Sequence, residues 1–348
     1  MTNDYIFAAR KISDGNFDAE PGPIKFLSVP AQATDYTPAN VMSSGVQWVD
    51  EVIGLADGDE NPYSISPKGD VLVFVHGYNN ATTDVLARHR SLKTNLRAAG
   101  WRGALISFDW PSNNQVLNYL EDRSDAAATA NLLVRQGLDI VRRAQAKKCY
   151  TNIHLLGHST GAYVIMRAFE RSYDVGANYK SDWRFGQVAF ISGDVSQDSM
   201  APTTPFIEVA GKRIMRLTNY ANPFDAVLGV SNCKWLGVQP RAGRRGVDAD
   251  GNVKLVNVNC GDHFQSLKPT LLEKIGPWSH SWYFTDQTFA LDLAMTLEGA
   301  IDRDFLPTRE TKTDGLYLRP GSRPKDMEDW GIKQAAKTAI QADGGRRI

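Results

Sequence analysis

The pentapeptide Gly157-His158-Ser159-Thr160-Gly161 stands directly between an apolar run, Ile153 to Leu156, and a helical pattern, Ala162 to Phe169. A serine held between two glycines at a strand-to-helix junction imposes a sharp reversal. Bulk at either flanking position would block the chain from turning back, and the serine itself takes a strained backbone conformation. The same turn sets the Ser159 hydroxyl at a helix N-terminus, where backbone N–H groups and the helix dipole favour negative charge. The junction therefore constrains the chain to strands that run into helices, and it makes Ser159 a candidate nucleophile.

The rest of the sequence has the same alternation. Val71 to Val75 is a continuous β-branched and aromatic run, the pattern of a strand buried on both faces. Similar short runs follow at Ala104 to Phe108, Val188 to Ser192, Ile214 to Leu217 and Val253 to Val258. Helical spacing is predicted over Thr83 to Ala99, Asp125 to Ala146, from just after Ser159 to Arg171, and over Trp282 to Leu297. Strands separated by helices predict an α/β fold, a mostly parallel central sheet with helices on both faces. Tyr5 to Ala9 and Ile24 to Val29 read as two further strands, with Asp14-Gly15 in the turn between them. Residues 30–68 read as a long connection with one helical stretch near Val46 to Ile53. Residues 1–300 are expected to form the domain, and the polar residues 301–348 an irregular, partly mobile extension.

Composition narrows the class. Of 348 residues, 39 are Lys or Arg and 39 are Asp or Glu, so the chain is neutral and lacks the basic balance of a nucleic-acid or anionic-membrane binder. Hydrophobic residues at 42% suffice for a large core. Cys149, Cys233 and Cys260 are too scattered for a disulfide framework or zinc module, with a Cys233 to Cys260 bridge left open. No apolar run approaches the roughly 18 residues of a membrane span. No leader pattern follows Met1, so a cytoplasmic location is expected.

A second element supports the nucleophile independently. His76-Gly77-Tyr78-Asn79 follows the strand Val71 to Val75, where a hydrolytic site of this kind builds half of its oxyanion hole. Such a hole needs backbone N–H donors aimed at the oxygen of a tetrahedral intermediate. The Tyr78 and Thr160 amides are assigned to it, and a donor role for the Asn79 side chain stays open. His76 precedes Ser159, against the order nucleophile, acid, histidine, and reads as a core histidine that holds its loop.

Together, Phe74 to Asn79, Ile106 to Ser112, Leu155 to Gly161 and Ser279-His280-Ser281-Trp282-Tyr283 resemble the α/β-hydrolase superfamily. More narrowly they resemble its mostly bacterial branch filed as domain of unknown function 900. The resemblance covers roughly residues 5–300. It implies an α/β-hydrolase fold with a serine nucleophile and says little about substrate. Two departures from the pattern stand out: a long stretch between Asp225 and Val253, and the segment Cys260 to Trp278 that delays the histidine.

A serine needs a base, and the base needs a carboxylate to orient it. His263 and His280 are the histidines that follow Ser159. His280, in a loop entering a helix, is favoured by that placement and by the family's pattern around it; His263 is the alternative, otherwise a solvated loop residue. Asp225, in the polar loop after the strand ending at Leu217, is the expected acid, with Asp194 as its competitor. Asp109 precedes Ser159 and reads as a loop cap.

The resulting reading is a serine esterase or lipase type of enzyme, using Ser159, His280 and Asp225 through an acyl-enzyme. It implies no cofactor and no metal, a small-molecule or lipid-like ester as partner, and neither nucleic acid nor an integral membrane segment. The alternatives are a non-catalytic scaffold on the same fold, or a thioesterase, amidase or acyltransferase on the same triad. Residues 197–211 and 226–251 are long enough to form a cap. Phe224, Trp235, Trp278 and Trp282 are candidates for an acyl pocket. Asp248 to Gly251 reads as a hairpin turn, not a calcium loop, and Arg241, Arg244 and Arg245 as a solvated cluster.

Overall fold

The run Val71 to Val75 shows why the sheet has two covered faces. In the computed structural model, Val71, Val73 and Val75 enter one apolar core while Leu72 and Phe74 enter another. Successive side chains of a strand point to opposite faces, so each of these residues serves a different layer. Each contributes about 1.5–3 kcal/mol of burial. The structure describes residues 2–57, 69–78, 80–112, 129–130, 132–133, 151–174, 183–233, 239–247, 252 and 254–343.

The described strands are β1 (Asp4–Ser13), β2 (Asn16–Val29), β3 (Asp70–Val75), β4 (Gly103–Asp109), β5 (Ile153–His158), β6 (Phe185–Ile191), β7 (Ile214–Ala221), β8 (Leu255–Asn259), β9 (Arg309–Lys312) and β10 (Gly315–Leu318). They form a single sheet in the order β2-β1-β4-β3-β5-β6-β7-β8-β10-β9. Every pairing from β1 to β10 is parallel, and β2 and β9 close the two edges as antiparallel strands. Asp14 and Gly15 both have positive φ in the β1–β2 turn, which suits a two-residue hairpin connection.

The described helices are α1 (Gly45–Asp57), α2 (Thr82–Ala98), α3 (Thr160–Asp174), α4 (Pro205–Arg213), α5 (Ala226–Cys233), α6 (Ala242–Arg245), α7 (Gly261–Ser266), α8 (Leu271–Ile275), α9 (Trp278–Ser281), α10 (Gln287–Glu298) and α11 (Met327–Asp343). Trp48 of α1, Val164 and Phe169 of α3 and Phe206 of α4 share the first core. Leu92 and Leu96 of α2 share the second with Phe289 and Leu293 of α10. Among the described residues no helix is long and apolar enough to cross a membrane.

Four expectations change. Residues 197–211 do not form a cap: they contain α4, the crossover between β6 and β7, whose Phe206 packs on Phe169 and Phe190. The expected helix from Trp282 begins later, at Gln287, because the Asp286 carboxylate accepts the Phe289 N–H and caps it there. Trp282 to Phe284 form a 3₁₀ turn instead. Cys260 is a buried free thiol, so the open Cys233 bridge is not made.

Residues after 301 are also not an irregular tail. They add β10 and β9 to the sheet and end in α11. Arg309 at the start of β9 anchors this addition. Its guanidinium meets both oxygens of Asp292 on α10, at 2.7 and 3.0 Å, with both side chains fully buried. Thr308 and Tyr220 hydroxyls donate to the same carboxylate. The expected helix over Asp125 to Ala146 and the turn at Asp248 to Gly251 lie almost wholly outside the described residues.

Candidate active site

The chain leaves β3 toward β4 on one side and returns to β5 on the other, so the C-terminal ends of β3 and β5 mark the point where strand order reverses. Such switch points open a crevice for ligands. The loop after β3 carries His76 to Tyr78 and leads into α2 on one face; β5 ends at His158, and Ser159 links it to α3 on the other.

Ser159 has φ of +56°, a left-handed conformation that costs a non-glycine residue about 1–2 kcal/mol. Its neighbours hold it there. The Ser159 N–H donates to Ile191 O at 3.1 Å, and the Ser159 carbonyl accepts from Ala162 N at 3.1 Å and Asp194 N at 3.0 Å. Gly161 lets the elbow approach β3, since a Cβ there would sit 2.1 Å from the Val75 carbonyl oxygen. A Cβ on Gly77 would sit 2.7 Å from Ser159 Cβ, so the loop after β3 lies directly on the serine. Thr160 starts α3, where the first helical N–H groups have no intrahelical partner. Asn79 lies outside the described residues.

The histidine and acid meet. His280 Nδ1 is 2.7 Å from Asp225 Oδ2, with the carboxylate fully buried. The other Asp225 oxygen accepts the Leu228 N–H at 2.9 Å. His280 sits beside the elbow: its ring centroid lies 4.7 Å from that of His158, and its carbonyl oxygen is 2.9 Å from His158 Nε2.

The alternatives are engaged elsewhere. Asp194 forms a buried ion pair with Arg241 Nε at 3.1 Å. Arg241 is therefore not part of a solvated cluster. His263 is likewise buried, not solvated, with Nε2 3.0 Å from both oxygens of Asp286. Asp109 holds a cation and an imidazole: Arg10 Nε lies 2.8 and 2.9 Å from its oxygens and His76 Nε2 lies 3.0 Å away. Burial would raise this carboxyl, but Arg10 and His76 overcome burial and hold it at about 2. His76 stacks on Trp110 and is pushed down by burial, as a neutral core residue would be.

Of the four proposed pocket residues, Trp282 is fully buried among Phe264, Tyr283 and Phe289, a core position. Trp278 is half-buried against Phe264, and Phe224 is 44% exposed and stacks on the same ring. Trp235 lies outside the described residues. A cleft of about 560 Å³ between the C-terminal hairpin and α11 contains none of the proposed site residues.

A family model described as "Alpha/beta hydrolase of unknown function (DUF900)" matches residues 61–253, more than half of the chain. The chain belongs to the DUF900 α/β-hydrolase family. This DUF900 member is also 31% identical over 68 residues to an uncharacterized protein of Nostoc sp. strain PCC 7120; the match spans 20% of the chain and 17% of that relative's length. Solved structures similar to it include a Trichoderma reesei cutinase bound to a phosphonate inhibitor, at 14% identity over 74% of this chain and 85% of the cutinase, with a TM-score of 0.29. A cutinase-like protein from Cryptococcus sp. is 14% identical over 68% of this chain and 98% of its own, with a TM-score of 0.32.

Sequence reading missed how the DUF900 chain holds its histidine. Three carbonyls of the segment around His280 are gripped by side chains from other elements. Asn222 Nδ2 donates to Ser279 O at 3.1 Å, His158 Nε2 meets His280 O at 2.9 Å, and Ser91 Oγ and Asn95 Nδ2 both donate to Phe284 O at 2.7 Å. These contacts join residues between 57 and 193 positions apart, and no local spacing signals them.

Proposed function

We propose that the protein is a serine hydrolase of carboxylic esters, with Ser159 as nucleophile, His280 as base and Asp225 as the group that orients the base. The observation that carries this reading is the 2.7 Å contact between His280 Nδ1 and Asp225 Oδ2, on a histidine packed against the residue that precedes a strained serine. A proton held on Nδ1 by Asp225 leaves Nε2 as the basic nitrogen.

In this mechanism His280 Nε2 takes the Ser159 hydroxyl proton as Oγ attacks the ester carbonyl. The Tyr78 and Thr160 amides receive the oxyanion. Collapse of the tetrahedral intermediate breaks the bond to the alcohol, which leaves with the proton from His280. Water, deprotonated by the same nitrogen, then attacks the acyl-enzyme and releases the acid and Ser159.

The surroundings of the acid and base support an apolar acyl group. Phe224, Val227 and Val230 flank Asp225, and Leu271, Leu272 and Ile275 lie just ahead of His280, all exposed and reaching 79% at Leu272. An exposed apolar group of this density commonly marks a binding surface.

A fluorophosphonate probe together with a series of p-nitrophenyl esters of rising chain length tests the reading. Modification at Ser159 and turnover that vanishes in Ser159→Ala are expected. Absence of both labelling and turnover would favour the non-catalytic scaffold, and ester formation in added alcohol would favour acyl transfer.

A further inference from the structure

His158, the residue between Gly157 and the nucleophile, plays no part in the steps above, yet its ring lies between three elements. It projects from the end of β5 onto the face that carries the second core, where Phe284 meets it edge-on at 5.1 Å and His280 lies 4.7 Å away. The residue is 1% exposed.

Its two nitrogens face partners that each permit one hydrogen-bond direction. Nε2 is 2.9 Å from the His280 carbonyl oxygen, which can only accept, so Nε2 carries a proton. Nδ1 is 3.5 Å from Arg88 Nη1, which can only donate, so Nδ1 presents its lone pair. Arg88 is fixed in turn over the Phe284 ring, 5.4 Å from its centroid. Both partners fit the same neutral tautomer, and the Arg88 guanidinium, a donor with positive charge, does not suit an imidazolium.

We infer that His158 is a positioning residue, a neutral imidazole protonated on Nε2 that ties the backbone of His280 to the nucleophile elbow. The inference rests on the serine-hydrolase reading for its catalytic consequence, though not for its geometry. Because residues 158 and 159 are consecutive, the tie couples the base directly to the serine without touching the reacting atoms.

Charge gives the second reason for neutrality. The titratable and charged groups that face the ring are Arg88 from α2, His280 from α9 and, farther away, His76 from the loop after β3; Asp84 faces Arg88 from the preceding turn of α2. Burial, then His280 and Arg88, push His158 well below the ordinary histidine range. When His280 becomes an imidazolium during turnover, an uncharged neighbour at 4.7 Å leaves that charge unopposed.

Ring nitrogen-15 NMR on the full chain labelled in histidine, with His158→Gln for assignment, tests the tautomer independently of any substrate. The Nε2–H form should persist from about pH 5 to 8, below and above the ordinary histidine range. An Nδ1–H form, or protonation within that window, overturns the inference whether or not an ester is ever turned over.

Activity tests the positioning role. His158→Leu should lower kcat on a short p-nitrophenyl ester roughly 10²-fold, the cost of a misplacement of about 1 Å, with KM changed less than about threefold. His158→Gln, whose amide can still donate to the His280 carbonyl, should recover at least about tenfold of that loss. Unchanged kcat in His158→Leu, or equal loss in two folded variants, reduces the residue to packing and overturns the role. Should His158→Leu fail to fold, His158→Gln and the tautomer decide. A wild-type chain that neither labels nor turns over ends the hydrolase reading instead and leaves the NMR result to stand for His158.

Discussion

The two oxygens of Asp225 have separate tasks: Oδ2 lies 2.7 Å from His280 Nδ1, and Oδ1 accepts the backbone N–H of Leu228 at 2.9 Å. The second contact fixes how any replacement at this position must lie. In Asp225→Asn the amide oxygen keeps the Leu228 N–H, which turns the NH₂ toward His280 and makes Nδ1 an acceptor. His280 then carries its proton on Nε2 and cannot take one from Ser159. We expect kcat to fall about 10⁴-fold with the fold retained, comparable to the same change in a serine-protease triad. A loss under about tenfold would show that Asp225 does not orient the base.

Ser159 has φ of +56°, and strain of this kind is relieved by glycine. Ser159→Gly should be more stable than the wild type by about 1 kcal/mol while losing all probe labelling. Thermal unfolding of the wild type, Ser159→Ala and Ser159→Gly checks this. The alanine variant keeps the strain and should show no comparable gain.

Stability should fall in acid in two stages. Burial pushes His76, His89 and His158 below the ordinary histidine value, so the unfolded chain binds more protons than the fold once pH drops below about 6.5. Stability therefore declines from pH 7 toward pH 5, earlier than carboxylates alone would cause. Asp109, held at about 2 from an ordinary 3.8, stabilises the fold above pH 4 by about 2 kcal/mol and loses that contribution as pH falls from about 4 to 2. A melting temperature flat between pH 7 and 5 would contradict the first stage. Arg10→Met, which strips Asp109 of its guanidinium, should cost about 3–5 kcal/mol and move the second stage to higher pH.

The C-terminal addition depends on one buried pair. Arg309→Met leaves the Asp292 carboxylate buried with only hydroxyl partners and should cost about 3–5 kcal/mol. Asp292→Leu combined with Arg309→Met should be less damaging than Arg309→Met alone, because no uncompensated charge remains. Denaturant unfolding of the wild type, Arg309→Met, Asp292→Leu and the double variant decides it; additive losses would mean that the pair is uncoupled.

What the sequence revealed follows from the range of the forces involved. The elbow was readable because it is local: strand, reversal and helix lie within about 20 residues, and the backbone demand falls on Gly157 and Gly161. The strands of the parallel core were readable because burial on both faces forces unbroken apolar runs such as Val71 to Val75. Strands β9 and β10 were hidden because Arg309-Glu310-Thr311-Lys312 is polar and sits at an edge, where one row of backbone groups needs no apolar signature. Helix α4 looked like a cap because its connection is long, although its apolar face belongs to the core. Arg241 looked solvated because a neutral chain gives no hint of the buried carboxylate, Asp194, 47 positions away.

The grip on the His280 segment has an evolutionary consequence. Asn222, His158, Ser91 and Asn95 hold main-chain carbonyls, a group that every residue type supplies. The side chain at position 281, which stands outside the core, can thus change without loosening the segment, while the imidazole of His280 keeps its station. An architecture anchored through its backbone separates what holds the histidine from what surrounds it.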